Sequence, residues 1–442
     1  MSPEVLGLVM VGLLVVAIFL GFPLAFTLII LGFVFGYLGF GQLVFDLMVF
    51  QGYGLMKEVS LAAVPLFVFM GYVLEQSGIM ERLFRAFQTI MAPVRGSLYL
   101  AVLLTGTLFA AATGIIGASV TVLGMMAVPA MVRSRYDTRM AAGVICGAGC
   151  LGQLIPPSVM LVVMGPVLGI SIVHLFAAAV VPGLLLSAIY IAYAMARSFL
   201  QPHVGPPLAL EERFGSTRMM VREFLLGMLP VTALIFAALG SILAGIAAPT
   251  EAAGVAALGS VVLAILYGQF TWARLKEAVY RTLRVTTLIL FLAFAALFYG
   301  AVFSHLGSAN LITEWMLGLP LSPFMMLVLL MLVINLLGWP LEWPAIILIF
   351  LPLFLPTILK LNIDMLWFGT LVAVNLQTAF LTPPVALAAY YLKAVAPDWE
   401  LSDIYIGMLQ FQVWQVLGLV FLLFFPDLAL WLPKLLYGYV PR

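Results

Sequence analysis

The sequence predicts an all-α, multi-pass membrane protein built on an inverted-topology repeat, with two re-entrant helical hairpins and two helices broken at Pro-Pro pairs. Three observations carry that expectation. Of 442 residues, 65% are hydrophobic and 8% charged, against roughly 25% charged in a soluble domain. Most basic residues fall in a few short segments. Two apolar stretches, "GQLIPPSVMLVVMGP" (152–166) and "QTAFLTPPVALAAYY" (377–391), are interrupted by adjacent prolines. Proline removes a backbone donor and clashes with the preceding turn. In hydrocarbon such a break is tolerated only against protein, water or an ion.

Residues 4–20 read as a retained first span, because Glu4 precedes the apolar run and neither a basic start nor a small-residue cleavage site accompanies it. Of the 19 Lys and Arg, 14 lie in 82–95, 133–139, 197–222 and 274–284, which the positive-inside rule places in the cytoplasm. The stretches 40–63, 306–319 and 361–366 hold one basic residue, Lys57, and are expected outside. The amphipathic stretches 79–95 and 271–284 read as helices along the membrane surface.

Between Arg95 and Arg133, the segment 97–132 leaves and regains the cytoplasm with "ATGIIGAS" (112–119) at its middle. Gly114 and Gly117 permit a tight turn, so two helices either span twice or re-enter part way. The segment 140–172 is too long for one simple span and is broken at Pro156–Pro157. A polar linker, 199–223, follows. In the second half, 320–359 is interrupted by "GWPLEWPA" (338–345), and 367–396 is broken at Pro383–Pro384. An offset of 227 residues superposes Pro156 on Pro383 and Gly117 on Pro344. Matching segments on opposite membrane sides define an inverted repeat.

Half-helix N-termini suit a carboxylate, and unwound carbonyls suit a small hard cation such as Na⁺. The breaks carry Thr113, Ser119, Ser158, Asn375, Gln377, Thr378 and Thr382, and no Lys or Arg. A bound anion would rely on helix ends, hydroxyls and bound cations, which gives a reason for cation coupling. Glu75 and Glu251, beside span ends, read as solvated or capping residues. Glu342 either lines the cavity or caps the helix after it. Trp339 and Trp343 either gate the cavity or sit as interface aromatics. Cys146 and Cys150, in "CGAGC", read as small packing residues. His174, His203 and His305 are scattered, so no catalytic or metal cluster can be assembled and an enzyme is disfavoured. The net charge of +1 predicts no nucleic-acid partner.

The stretches "GCLGQLIPPSVMLVVMG", "VVPGLLL", "PTEAAGVAALGS", "LPLFLPTILKLNID" and "NLQTAFLTPPVALAAYYLKAVAP" resemble the large membrane subunit of the tripartite ATP-independent periplasmic (TRAP) transporters. The resemblance runs over nearly the whole chain. It implies a Na⁺-driven importer of small organic acids in the cytoplasmic (inner) membrane of a bacterium or archaeon, in which a transport domain slides past a scaffold as an elevator. It implies one sodium site, formed largely by backbone carbonyls, from Thr113, Gly114, Gly117 and Ser119 with Gly152, Ile155 and Pro156. A second would use Gly338, Trp339 and Glu342 with Thr378, Phe380 and Thr382. The substrate would lie between them, near Ser119, Pro157, Ser158, Asn375, Thr382 and Pro384.

On this reading, 1–78 and 224–305 are scaffold, 79–198 and 306–434 the arm and transport parts, and 199–223 the cytoplasmic linker. The resemblance also implies two partners besides the bilayer, a small four-helix membrane subunit and a soluble periplasmic binding protein. The chain begins almost at its first span, so the small subunit is expected as a separate polypeptide. The tip "ATGIIGAS" and the motif "AFLTPPVA" resemble the branch associated with 2-oxo acids and other monocarboxylates. The rival reading is a stand-alone Na⁺/dicarboxylate symporter of similar architecture.

Overall fold

A computed structural model describes residues 2–114, 116–208, 217–383 and 386–441. Among the described residues every regular element is helical. Within the described residues, eight helices are long and apolar enough to cross a bilayer: Val59–Gln76, Ile116–Arg133, Ile172–Leu200, Phe224–Leu243, Pro249–Leu266, Trp272–His305, Trp343–Lys360 and Leu401–Phe424. Large apolar side chains such as Phe19, Val49, Leu258 and Leu266 stand on the outside of the bundle. That suits lipid, where apolar exposure carries no penalty. The chain is a multi-pass membrane protein.

Helices beginning at Ser97, Ile116, Thr138 and Val159 are followed 226–228 residues later by helices beginning at Pro323, Trp343, Met365 and Leu387. The spacing read from the proline pairs is thus carried by four helix starts. One difference separates the two series. Leu43–Lys57 and Ala63–Gln76 are separate helices, divided where Glu58 accepts from Ser60 N and starts a short 3-10 turn. The corresponding stretch of the second half, Trp272–His305, is one uninterrupted helix of 34 residues.

Two sequence expectations change here. The stretch 271–284 is no separate surface helix but the first turns of Trp272–His305, started by Thr271, whose hydroxyl accepts from Arg274 N. At 1.5 Å per residue that helix is about 51 Å long, well beyond the roughly 30 Å hydrocarbon core. The helix Ile79–Ile90 does stand alone, with Leu83, Phe84 and Phe87 buried and Arg82 and Arg85 exposed.

The expected linker 199–223 is shorter and less free than its composition implies. Its first residues buttress the base of the first hairpin. Gly205 O accepts from Gly96 N (2.9 Å), Val204 O from Tyr99 Oη (2.7 Å) and Asp137 N (3.0 Å), and Leu208 N donates to Ala92 O (3.2 Å). Its last residues already belong to the helix Thr217–Ile235. Backbone groups near the membrane need partners, and this strip supplies them.

The halves are joined where Thr138–Cys150 lies along Leu401–Phe424. A Cβ on Gly407 would stand 1.9 Å from Arg139 O, and one on Gly143 would stand 2.4 Å from Gly407 O. Only glycine permits that approach. Beside it, Arg139 Nε donates to Asp403 Oδ1 at 2.8 Å.

Candidate functional site

The first hairpin turns at Gly114, whose φ of +60° is the left-handed conformation that ends Ser97–Thr113. Gly117 does not turn the chain. It lies within the helix Ile116–Arg133, where a Cβ would stand 2.9 Å from the Tyr391 ring. Its missing side chain makes room for Tyr391, which lies beyond the second Pro pair. The Thr113 side chain, Ile115 and Pro384 lie outside the described residues. Ser119 is buried.

The turn at Gly114 rests on the first break. A Cβ there would be 3.5 Å from Val159 N and 4.0 Å from Gly152 O. The helix Thr138–Cys150 tightens into 3-10 geometry over Leu151–Gln153, and Val159–Leu168 starts afresh after an extended Ser158. Ile155 N donates to Leu151 O (3.0 Å), and a Cβ on Gly183 would be 2.8 Å from Ile155 Cγ1. Pro156 and Pro157 are buried with the rest of this loop. The Ser158 hydroxyl donates to Gln153 O, so it braces the loop instead of standing open.

The second hairpin tip lies on the second break in the same manner, with a Cβ on Gly338 falling 2.7 Å from Ala379 Cβ. Three of the expected polar residues are occupied there. Asn375 Nδ2 donates to Met331 O (2.7 Å). Thr378 Oγ1 accepts from Asn335 Nδ2 and donates to Asn375 O, both at 2.6 Å. Thr382 Oγ1 donates to Thr378 O and accepts from Gln412 Nε2, both at 2.6 Å. Asn375 is 1% exposed, so it pins the broken helix to the hairpin and does not face an open cavity. A helix broken in hydrocarbon must find partners for its backbone, and nearby amides and hydroxyls are spent on that. Phe380 is buried as well.

Glu342 starts the returning helix with its backbone, its carbonyl accepting from Ala345 N (3.1 Å), but its side chain caps nothing and stands exposed. That removes the capping reading. Trp339 leaves the polar break and lines an apolar cavity of about 600 Å³ with Val15, Ile18 and Phe19, whereas Trp343 is buried. Glu251 caps its helix, accepting from Ala248 N at 2.9 Å. Glu75 is neither solvated nor a cap, and pairs with Arg281 at 3.3 Å. Both cysteines are buried, and Cys146 Sγ reaches Ala388 O at 3.6 Å, in keeping with a packing role.

The two breaks are interlocked. Val159–Leu168, which follows the first Pro pair, packs on the returning arm of the second hairpin. Leu387–Val395, which follows the second, packs on the returning arm of the first. The amide oxygens Gln153 Oε1, Gln377 Oε1 and Gln412 Oε1 are buried without a donor among the described residues. Buried acceptors of this kind are costly unless something fills them, and hard oxygen donors suit a small cation. Asn335, Gln412 and Tyr391 are absent from the sequence-derived set. Amides inside the apolar runs "LVINLL" and "LQFQVW" are the signal that points to the first two, because polar side chains at membrane depth are expensive.

Residues 11–428 match the profile of the family described as "Tripartite ATP-independent periplasmic transporter, DctM component". The chain is similar to the C4-dicarboxylate TRAP transporter large permease protein of Pseudomonas aeruginosa, at 34% identity over 342 residues, 77% of this chain and 78% of that one. It is also similar to the sialic acid TRAP transporter large permease protein of Vibrio cholerae, at 28% identity over 427 residues, 96% and 97% of the two chains. Among solved structures it shares its fold with the YdaH transporter of Alcanivorax borkumensis, at a TM-score of 0.65 and 15% identity, covering 97% of this chain and 98% of that one.

Proposed function

Because the chain belongs to the DctM family of TRAP transporters, and is therefore a large permease subunit of a secondary transporter and not an enzyme, we propose that it imports small organic acids coupled to Na⁺. A periplasmic binding protein delivers the substrate and a small four-helix membrane subunit completes the complex. The two halves form an inverted repeat with re-entrant hairpins, and the breaks ride on a transport domain that moves as an elevator. The membrane is the cytoplasmic (inner) one.

The observation that carries this reading is the interlocking of the breaks. Two fresh helix N-termini, at Val159 and Leu387, are brought against the opposite hairpins, and the sequence places no Lys or Arg at either tip or break. Helix N-termini favour an anion by a few tenths to about 1 kcal/mol each, which alone is a weak hold on a dilute carboxylate. Na⁺ on backbone carbonyls and unpartnered amide oxygens supplies the missing positive charge, so substrate and ion bind together. Within the organic acids, the tip sequence favours 2-oxo acids or other monocarboxylates. Relatives named for C4-dicarboxylates and sialic acid keep the wider class in view.

The test is uptake into liposomes holding the whole three-component assembly under a Na⁺ gradient. Uptake is expected to need Na⁺ and the binding protein. Equal drive by a proton gradient would overturn the ion assignment. Robust uptake by this chain alone would establish the stand-alone symporter instead. Substrate class is read on the binding protein, where tighter binding of C4-dicarboxylates than of 2-oxo acids defeats the narrower assignment.

A further inference from the structure

A charged hollow of about 520 Å³ lies apart from the breaks, where the end of Ala63–Gln76, the helix Ile79–Ile90 and the first turns of Trp272–His305 meet. On one side Arg281 is held between Glu75 (3.3 Å) and Glu277 (2.5 Å). Arg274 is spent on Gln269, its Nη1 donating to the backbone oxygen at 2.8 Å. On the Ile79–Ile90 side, Arg82 lies over the Tyr267 ring at 5.1 Å, and Arg85 has no ion pair among the described residues. Three acceptors in the same hollow, Glu75 Oε2, Gln76 Oε1 and Glu81 Oε2, are buried with no donor among the described residues.

Guanidinium groups without an ion pair on the Ile79–Ile90 wall, beside unpartnered acceptors on that wall and at the end of Ala63–Gln76, describe a dipolar ligand. A primary ammonium offers three N–H donors, one for each vacant acceptor, and an oxyanion suits Arg82 and Arg85. The surroundings indicate how such a ligand arrives. The basic residues put this end of the helices at the cytoplasmic surface. Next along the chain to Gln269 and Arg274 of the hollow, Leu266 is 74% and Trp272 75% exposed, which is the composition of a membrane–water boundary. A ligand carrying its own apolar tail fits that edge better than a free solute.

We propose that this hollow binds the headgroup of an aminophospholipid, with its phosphate on Arg82 and Arg85 and its ammonium on Glu75, Gln76 and Glu81. The site depends on neither Na⁺ nor the transported substrate.

Native mass spectrometry on the full chain in detergent tests it, by competition among phosphatidylethanolamine, phosphatidylcholine and phosphatidylglycerol. Phosphatidylcholine lacks the N–H donors, and phosphatidylglycerol lacks the cation. Phosphatidylethanolamine is expected to be retained at least about fivefold over either, a difference of about 1 kcal/mol. Glu81→Gln should remove its advantage over phosphatidylglycerol. Arg85→Gln, at an exposed and unpaired position, should lower retention of both phosphatidylethanolamine and phosphatidylglycerol, with the unfolding temperature unchanged. Equal retention of all three lipids by the parent chain overturns the proposal, as does a preference for phosphatidylethanolamine that survives when Glu81→Gln and Arg85→Gln are combined. Displacement of the lipid by water-soluble phosphoethanolamine at equal concentration would mean that a free zwitterion, not a lipid, is the ligand.

Discussion

Thr382 shows what a single hydroxyl does at a broken membrane helix, donating to Thr378 O while accepting from Gln412 Nε2. Thr382→Ala removes both bonds and leaves the Gln412 amide without its acceptor, a loss of about 1–3 kcal/mol. On the proposed function this raises the Na⁺ concentration for half-maximal uptake roughly tenfold, equivalent to about 1.4 kcal/mol. An unchanged Na⁺ titration would remove Thr382 from the ion site. Glycine contacts give a cleaner steric test. Gly407→Ala places a methyl 1.9 Å from Arg139 O, a backbone atom that cannot swing aside, and should cost about 1–3 kcal/mol, read as a lower unfolding temperature. Gly254→Ala is the control, because a Cβ there meets nothing within 4 Å and the helix gains propensity. At this scale the sequence locates Thr382 and Ser158, because the prolines mark where backbone partners are lost. It leaves Asn335 and Gln412 unassigned, since a lone amide in an apolar run has no visible partner until the helices are packed. That Gly114 alone makes the turn, while Gly117 makes room for a ring, is hidden for the same reason: only the packing puts Tyr391 on Gly117.

Helices were legible wherever a breaker marks their ends. Within the described residues, the hairpin turns and the first break lie in the expected segments, at Gly114, Gly338 and Pro156–Pro157, and the helix before the second break ends at Thr382. The sequence misleads where amphipathicity imitates an end. Residues 271–284 carry the Arg-rich pattern of a surface helix, yet Trp272–His305 contains no proline to stop it. Around residue 58 of the first half, Glu58 caps a 3-10 turn and the chain divides. Which side of the membrane each hairpin opens to rests on charge alone and is tested by labelling. Cys146 and Cys150 are buried, so the native cysteines should stay quiet toward an impermeant thiol reagent. Asn362→Cys, exposed beyond the second hairpin, should label from outside intact cells. Arg135→Cys, exposed at the base of the first hairpin, should label only after permeabilisation. Labelling of both from outside would put the bases of the two hairpins on the same side and overturn the inverted repeat.

For the whole molecule, the issue is which surfaces can slide. Trp272–His305 packs on Leu24–Phe40, Leu43–Lys57 and Ala63–Gln76, giving one body. Thr138–Cys150 and Met365–Leu381 both pack on Leu401–Phe424, giving another. Between them lies a cavity of about 240 Å³, lined on one side by Gly54, Leu55 and Ile289 and on the other by Val163, Val167 and Leu348. This seam is mostly apolar. Sliding one apolar surface over another breaks no hydrogen bonds and exchanges one dispersion contact for another of similar worth, whereas the Arg139–Asp403 pair and the glycine contacts beside it lock their helices together. On the proposed elevator, this seam is the plane of movement. Paired cysteines at Leu55 and Val167, bridged by a short bifunctional thiol reagent, should abolish uptake while substrate binding to the partner protein is untouched. Each single-cysteine variant treated with the same reagent should keep most of its activity, which separates immobilisation from simple obstruction. If the fully bridged protein transports at the parent rate, the seam does not move, and substrate must cross a site that opens in place.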